Sequence, residues 1–141
     1  MSFLSLQSVS KHFSLGDTIW TFGPLSLDIQ KGDFVAVVGK SGSGKSTFLH
    51  LAGGLVHPDE GKIIFEGKNI AALGESDLGT FRNTSLGFVF QDFFLLEELS
   101  VLDNVMIPLL IAEIPRKEAK EKAKKTLKEV GILEKENHLP K

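Results

Sequence analysis

The chain has 141 residues, a formal net charge of −2, 42% hydrophobic and 24% charged residues, 14 Gly, 5 Pro and no Cys, which is a globular composition at the length of one ordinary domain. The lack of cysteine excludes disulfides, thiolate metal sites and a Cys nucleophile, and the weak negative charge gives no whole-chain support to non-specific nucleic-acid binding. No apolar run approaches the roughly 18 residues of a membrane span, and Met1-Ser2-Phe3-Leu4 lacks the basic start of a signal peptide.

In chain order, Phe3 to Val9 alternates apolar and polar residues, the period of a half-buried strand. Leu25 to Ile29 alternates again, and Lys31-Gly32-Asp33 predicts a turn. Phe34-Val35-Ala36-Val37-Val38 is a continuous apolar run, which predicts a strand buried on both faces. Ser46 to Leu51 reads as a helix. Ile63-Ile64-Phe65 lies between turns at Gly61 and Gly67, and Phe88-Val89-Phe90 is another buried-strand candidate.

The last segment is rich in Lys, Glu and Ala, strong helix formers. Pro115 sits where a first helical turn accepts proline. Ala119, Ala123, Leu127 and Val130 fall on one helical face. Glu118 with Lys122 and Glu121 with Lys125 have the favourable spacing of four, and Gly131 is a C-terminal stop. Charge is uneven: seven Lys and Arg face twelve Asp and Glu up to residue 112, and nine face six thereafter. The basic face near residues 116–128 reads as a solvated surface. His12, His50, His57 and His138 have no metal-ligand spacing.

The informative segment is Gly39-Lys40-Ser41-Gly42-Ser43-Gly44-Lys45-Ser46-Thr47. It fits G-x-x-x-x-G-K-[ST] between an apolar strand run and a helix-competent run, the context that the phosphate loop (Walker A) demands. A nucleotide brings several negative charges into a small space. Glycines let the backbone curl so that successive N–H groups point at phosphate oxygens, and the following helix aims its positive end at the same place. Lys45 would meet the β- and γ-phosphates, and the Ser46 hydroxyl would ligate Mg²⁺.

Leu86-Gly87-Phe88-Val89-Phe90-Gln91-Asp92-Phe93-Phe94-Leu95-Leu96 and Leu99-Ser100-Val101-Leu102-Asp103-Asn104-Val105 resemble the Q-loop region of ABC-transporter ATPases. Leu51-Ala52-Gly53-Gly54-Leu55 with Pro58-Asp59-Glu60-Gly61 resembles the stretch after the phosphate loop in that family. Leu78-Gly79-Thr80-Phe81-Arg82-Asn83 and Asn104-Val105-Met106-Ile107-Pro108-Leu109-Leu110 look most like its lipoprotein-releasing and macrolide-export subfamily. The resemblance is collinear along the chain. It implies an α/β fold: a P-loop NTPase (ABC ATPase) core with an antiparallel β region from residues 1–30 and 61–70, and the incomplete start of a helical subdomain. It divides the chain into residues 1–91, the nucleotide-binding core, and residues 92–141, the Q-loop and partial helical subdomain.

The resemblance also implies roles. Gly39, Ser41, Gly42, Ser43, Gly44, Lys45, Ser46 and Thr47 would hold ATP, with Mg²⁺ on Ser46 and Gln91. Gln91 matches the Q-loop glutamine that contacts Mg²⁺ and the attacking water. Phe13 matches the aromatic that stacks on adenine, a position more often tyrosine, and Trp20 is the alternative stacking residue. Phe93 and Phe94 lie where the family receives the coupling helix of its membrane subunit, or else pack inside the helical subdomain. The implied partners are transmembrane permease subunits and a second ATPase subunit in a nucleotide-sandwich dimer, with no nucleic acid, at the cytoplasmic face of the cell membrane. The function implied is the ATP-binding portion of a transporter ATPase that powers export or lipoprotein release. A soluble non-transport ABC-type ATPase and a non-catalytic nucleotide-binding fragment are the alternatives.

The family also uses a signature loop, an apolar strand ending in Asp-Glu and a switch histidine, and residues 1–141 contain no match to them. Leu51-Ala52-Gly53-Gly54 has Ala where the signature needs Ser, and Leu109-Leu110-Ile111-Ala112-Glu113 lacks the Asp. The expectation is conditional nucleotide binding without significant hydrolysis by this chain alone, and a tendency to associate through unpaired sheet edges.

Overall fold

Alternating residues at the N-terminus build two long strands, β1 (Leu4–Leu15) and β2 (Thr18–Ile29), joined by a two-residue turn with Leu15 opposite Thr18. The computed structural model describes residues 2–140 and divides into two units between Arg82 and Asn83. In the first unit, β3 (Glu60–Phe65) pairs with the other edge of β1, and the short β4 (Lys68–Asn69) pairs with β3. The sheet order is β2-β1-β3-β4, antiparallel throughout. This is the antiparallel region expected from residues 1–30 and 61–70.

The alternation in β1 does not run uninterrupted. Ser8 has φ +50°, and the pairing with both neighbours shifts register between residues 6 and 11. The bulge turns Val9 to the face that Leu6 occupies, so residues three apart are both buried, at 0% and 1% exposure. Gly61 faces this bulge with φ +88°, and a Cβ there would strike the carbonyls of Gln7 and Ser8.

The core of the first unit is Leu6, Val9, Phe48, Leu51, Ile63, Ile70 and Leu78. It joins one sheet face to α1 (Lys45–Ala52), α2 (Glu75–Ser85) and a single 3-10 turn at Ile70–Ala72. The Asn69 side chain accepts from the Ala71 and Ile63 amides at 3.2 and 3.3 Å and so fixes that turn.

In the second unit, α3 (Val101–Ile111) packs on α4 (Arg116–Glu129) through Leu102, Met106, Ala119, Ala123 and Leu127. Alanines at 119 and 123, both 0% exposed, let the helix backbones approach closely. Ser100 caps α3 by accepting from the Asp103 amide at 3.0 Å. The Val101 and Leu102 amides donate to the His138 and Glu136 carbonyls at 2.9 and 3.0 Å, so the returning chain satisfies two first-turn donors of α3.

Four sequence expectations are corrected. Neither Phe34–Val38 nor Phe88–Phe90 forms a strand. Phe34, Val38 and Val89 are 97%, 87% and 102% exposed, and among the described residues no chain runs beside them to accept or donate ladder hydrogen bonds. A continuous apolar run marks a two-sided buried strand only when neighbours and covering layers exist. Val130 is 64% exposed because α4 ends at Glu129, ahead of Gly131 at φ +75°. Lys122 pairs with Glu118 at 2.8 Å as expected, but Lys125 faces Glu129 at 4.0 Å rather than Glu121. Among the described residues no helix is long and apolar enough to cross a membrane.

Candidate functional site: the phosphate loop

The loop from residue 39 to 44 leads into α1 without a side-chain cap. Gly44 occupies the cap position at φ +90°, ψ +10°, a left-handed conformation that costs glycine nothing. A Cβ there would lie 2.7 Å from the Phe22 ring and 3.7 Å from Trp20, so β2 presses directly on the loop. Phe48 is the first α1 residue whose amide bonds back, to Gly44 O at 2.8 Å. Helix geometry leaves the amides of Lys45, Ser46 and Thr47 without an i−4 carbonyl. With no side chain to satisfy them, they form a set of converging donors at the positive end of a helix, a fit for an anionic oxygen cluster.

Lys45 reinforces that polarity. Its Nζ donates to the Gly39 and Lys40 carbonyls at 2.9 and 2.8 Å, which holds the ammonium inside the loop's own curve. An ammonium has three donors, so two bonds anchor it and one remains for an incoming phosphate. Ser46, the next residue, exposes its hydroxyl on the same helical turn. A Mg²⁺ ion is typically held by one or two protein oxygens together with substrate phosphates and water. The Ser46 hydroxyl beside a phosphate cradle fits that donor set.

An open pocket of about 270 Å³ lies over the loop, lined by Trp20, Ser41, Gly42, Gly44, Lys45, Ser46 and Thr47. A second, apolar hollow of about 410 Å³ lies between β2, residues 35–38 and α1. Phe13 and Trp20 sit opposite each other in the β1–β2 pairing, with ring centroids 5.5 Å apart. The structure thus brings the predicted loop residues together and places Trp20 against them. Phe13 stands behind Trp20 and is not among the lining residues of the pocket.

Sequence reasoning did not single out Phe22. Only the pairing of β1 with β2 brings it to Gly44, and no local motif marks that contact. Beside Phe13, Asp59 fixes β1 from the loop after α1. It accepts from Lys11 Nζ at 2.8 Å and from the His12 amide at 2.6 Å. The hydrogen bond from Lys11, followed by that from the His12 amide, holds the Asp59 carboxyl below the ordinary value of 3.8.

Gln91 belongs to the second unit, on an exposed bend. Around it the Phe88 and Phe90 rings stack at 5.4 Å, and Phe90 meets Phe94 edge-on at 5.0 Å. Phe93 and Phe94 are 88% and 72% exposed. Asn104 organises the chain that follows: it accepts from the Leu96 amide at 2.9 Å and donates to the carbonyls of Leu96, Leu99 and Ser100 at 3.0 to 3.1 Å.

The ABC transporter family profile matches residues 22–141. The chain is 41% identical over 141 residues to the lipoprotein-releasing system ATP-binding protein LolD of Myxococcus xanthus, covering 99% of this chain and 63% of that protein. It is 46% identical over 116 residues to LolD of Aquifex aeolicus, covering 82% of this chain and 52% of the relative. Among solved structures, the ATP-binding cassette MJ0796, a dimer in a post-hydrolysis state bound to ADP and Pi, superposes with a TM-score of 0.85 at 33% identity. That match covers 97% of this chain and 61% of the cassette. The chain thus spans between half and two thirds of the length of these relatives. The antiparallel sheet, the phosphate loop opening α1 and the match over residues 22–141 agree, and the chain belongs to the ABC transporter family.

Proposed function

We propose that this chain is the ATP-binding portion of an ABC transporter ATPase subunit, one that powers lipoprotein release or export through separate membrane subunits. The observation that carries the reading is the loop's charge geometry: Lys45 anchored on the Gly39 and Lys40 carbonyls beside the uncapped first turn of α1. Gly39, Ser41, Gly42, Ser43, Gly44 and Thr47 shape the cradle, and Phe13 and Trp20 supply an aromatic wall for the base. Ser46 and Gln91 are the residues we assign to Mg²⁺. The metal, when bound, neutralises charge on the terminal phosphates.

On this reading residues 1–91 serve nucleotide binding, and residues 92–141 carry the Q-loop and the start of a helical subdomain. The exposed pair Phe93 and Phe94 suits a protein interface, where aromatics are enriched. Lipoprotein release is named for LolD relatives at 41% and 46% identity, and a dimeric form for the cassette MJ0796. They support permease subunits and a second ATPase subunit as partners, at the cytoplasmic face of the membrane.

Equilibrium titration of residues 1–141 with Mg-ATP tests the reading. Saturable binding that inorganic tripolyphosphate competes away, and that Lys45→Ala weakens by about tenfold or more, is expected from the loss of a charged hydrogen bond. Binding that is indifferent to Lys45→Ala would sink it.

A further inference from the structure

We propose that one edge of α4, carrying Lys117, Lys120 and Lys128, is an attachment surface for an anionic lipid bilayer. The helix holds seven Lys and Arg against three Glu. In the sequence these charges alternate and read as a solvated face, but the helix sorts them. At roughly 100° per residue, Lys120, Lys124, Lys117 and Lys128 fall within an arc of about 80°. Glu121, Glu118 and Glu129 fall in the adjoining arc of about the same width. Ala119, Ala123 and Leu127 occupy the buried side, so the lysine edge flanks the packed face.

Ion pairing separates these cations further. Lys122 meets Glu118 at 2.8 Å, Lys125 meets Glu129 at 4.0 Å, and Arg116 meets Asp103 at 3.5 Å. Lys124 meets Glu136 at 3.0 Å and so neutralises the carboxylate that the returning chain brings to its side of the helix. Among the described residues, Lys117, Lys120 and Lys128 have no ion pair, and all three are exposed. They form a ridge of uncompensated ammonium groups about 17 Å long.

Such a ridge suits a diffuse, planar charge. α4 has no aromatic residue and no Arg on this edge, so it offers neither a stacking platform for bases nor a guanidinium fork for a single phosphate. A bilayer needs neither: clustered lysines sense the negative surface potential of the leaflet within a Debye length. Charge along the chain is also polarised, with nine Lys and Arg against six Asp and Glu after residue 112 and seven against twelve before it. The choice of lipid over another polyanion rests on the transporter reading above, which puts the chain beside a membrane.

Co-sedimentation of residues 1–141 with vesicles tests the proposal. Vesicles of phosphatidylcholine with about 30% phosphatidylglycerol should bind the chain at low salt, and vesicles of phosphatidylcholine alone should not. Raising the salt from roughly 0.05 to 0.5 M should release it. A lysine at an anionic surface is worth roughly fivefold in partitioning. The double variant Lys117→Gln, Lys120→Gln should therefore lose more than tenfold. Lys122→Gln, Lys125→Gln removes the same net charge from paired positions outside the edge and should lose less than about threefold. Glutamine keeps the helix propensity of lysine, and circular dichroism melts of both variants check that the fold is retained.

Four results would overturn it: no sedimentation with anionic vesicles, equal sedimentation with neutral ones, equal losses in the two double variants, or retention by a single-stranded oligonucleotide in place of vesicles at the same salt. The last outcome would make the edge a nucleic-acid contact. Lys45→Ala should leave vesicle binding unchanged, so the two readings fail separately. Loss of lipid binding with Lys45-dependent ATP binding intact removes the lysine edge alone, and lipid binding without any ATP binding removes the nucleotide reading alone.

Discussion

The antiparallel sheet and the Phe34–Val38 run belong to the same unit and are both rich in apolar residues, yet they end in opposite environments. In β1, Leu6 and Val9 are at most 1% exposed. β2 pairs with β1 along nearly its whole length, and β3 pairs with it from Leu4 to Ser10. Phe34 and Val38, by contrast, stand 97% and 87% exposed, with no strand beside them among the described residues. Hydrophobicity alone did not decide the outcome; access to backbone partners did. An antiparallel strand finds its partner across a tight turn, a few residues away, whereas a buried parallel strand depends on segments reached by long crossovers. The phosphate loop stands at the junction of these two regimes, with its α1 side buried and its strand side open.

The largest effects should separate the two regimes directly. Leu51, 0% exposed in the core, should cost about 2–5 kcal/mol when replaced by Ala, through lost transfer energy and the cavity left behind. Val38→Ala should stay within about 0.5 kcal/mol, because its side chain has little to lose. Chemical denaturation of the two variants measures the contrast, and equal costs would show that residues 34–38 are packed in solution.

Gly44→Ala comes next. A left-handed non-glycine residue costs about 1–3 kcal/mol, and its Cβ must also displace the Phe22 ring from 2.7 Å. The substitution should lower the melting temperature and weaken Mg-ATP binding together, because the same conformation shapes the cradle and seats β2. Calorimetric melting and titration of one sample check both. Unchanged affinity with lowered stability would separate loop shape from packing.

The open run also predicts association. Five consecutive apolar residues without charge or proline form an adhesive edge. Val38→Lys should move the apparent mass by light scattering toward the 15.4 kDa monomer at a concentration where the parent chain is heavier. A parent chain already monomeric throughout that range would contradict the prediction.

Much of this was legible in the residues. Gly39 to Thr47 announces its chemistry, because phosphate binding needs particular residue types at fixed offsets. The strands around residues 3–9, 25–29 and 63–65 follow from alternation and turn residues, and the 119/123/127 face of α4 from helical period. What was not legible depended on distance. Whether Phe34–Val38 and Phe88–Phe90 are covered is a property of remote neighbours rather than of the runs themselves. The bulge at Ser8, which puts Val9 beside Leu6, is set by Gly61 approaching across β3. Trp20 reaches the loop only through the register that places it opposite Phe13, and an exchange of one residue in that register would turn it to the other face.

The smallest expected effect lies at the join between β1 and the loop after α1. Asp59 accepts from Lys11 Nζ and the His12 amide, and this holds β1 just before Phe13. Its carboxyl is held below the ordinary 3.8, chiefly by the Lys11 hydrogen bond. Because the folded state binds the proton less readily, the unfolded chain takes it up first as pH falls. The contribution is therefore complete above 3.8 and drains away through the lower folded value. Asp59→Asn should be slightly less stable than the parent near neutrality, and the gap should close in acid. High salt should also narrow it, since the side chains are partly exposed, at 20% for Lys11 and 36% for Asp59. Thermal melts of both chains across that range would decide it. A gap that stays constant with pH would mean that Asp59 acts through shape and not charge, leaving the His12 amide as the contact that matters.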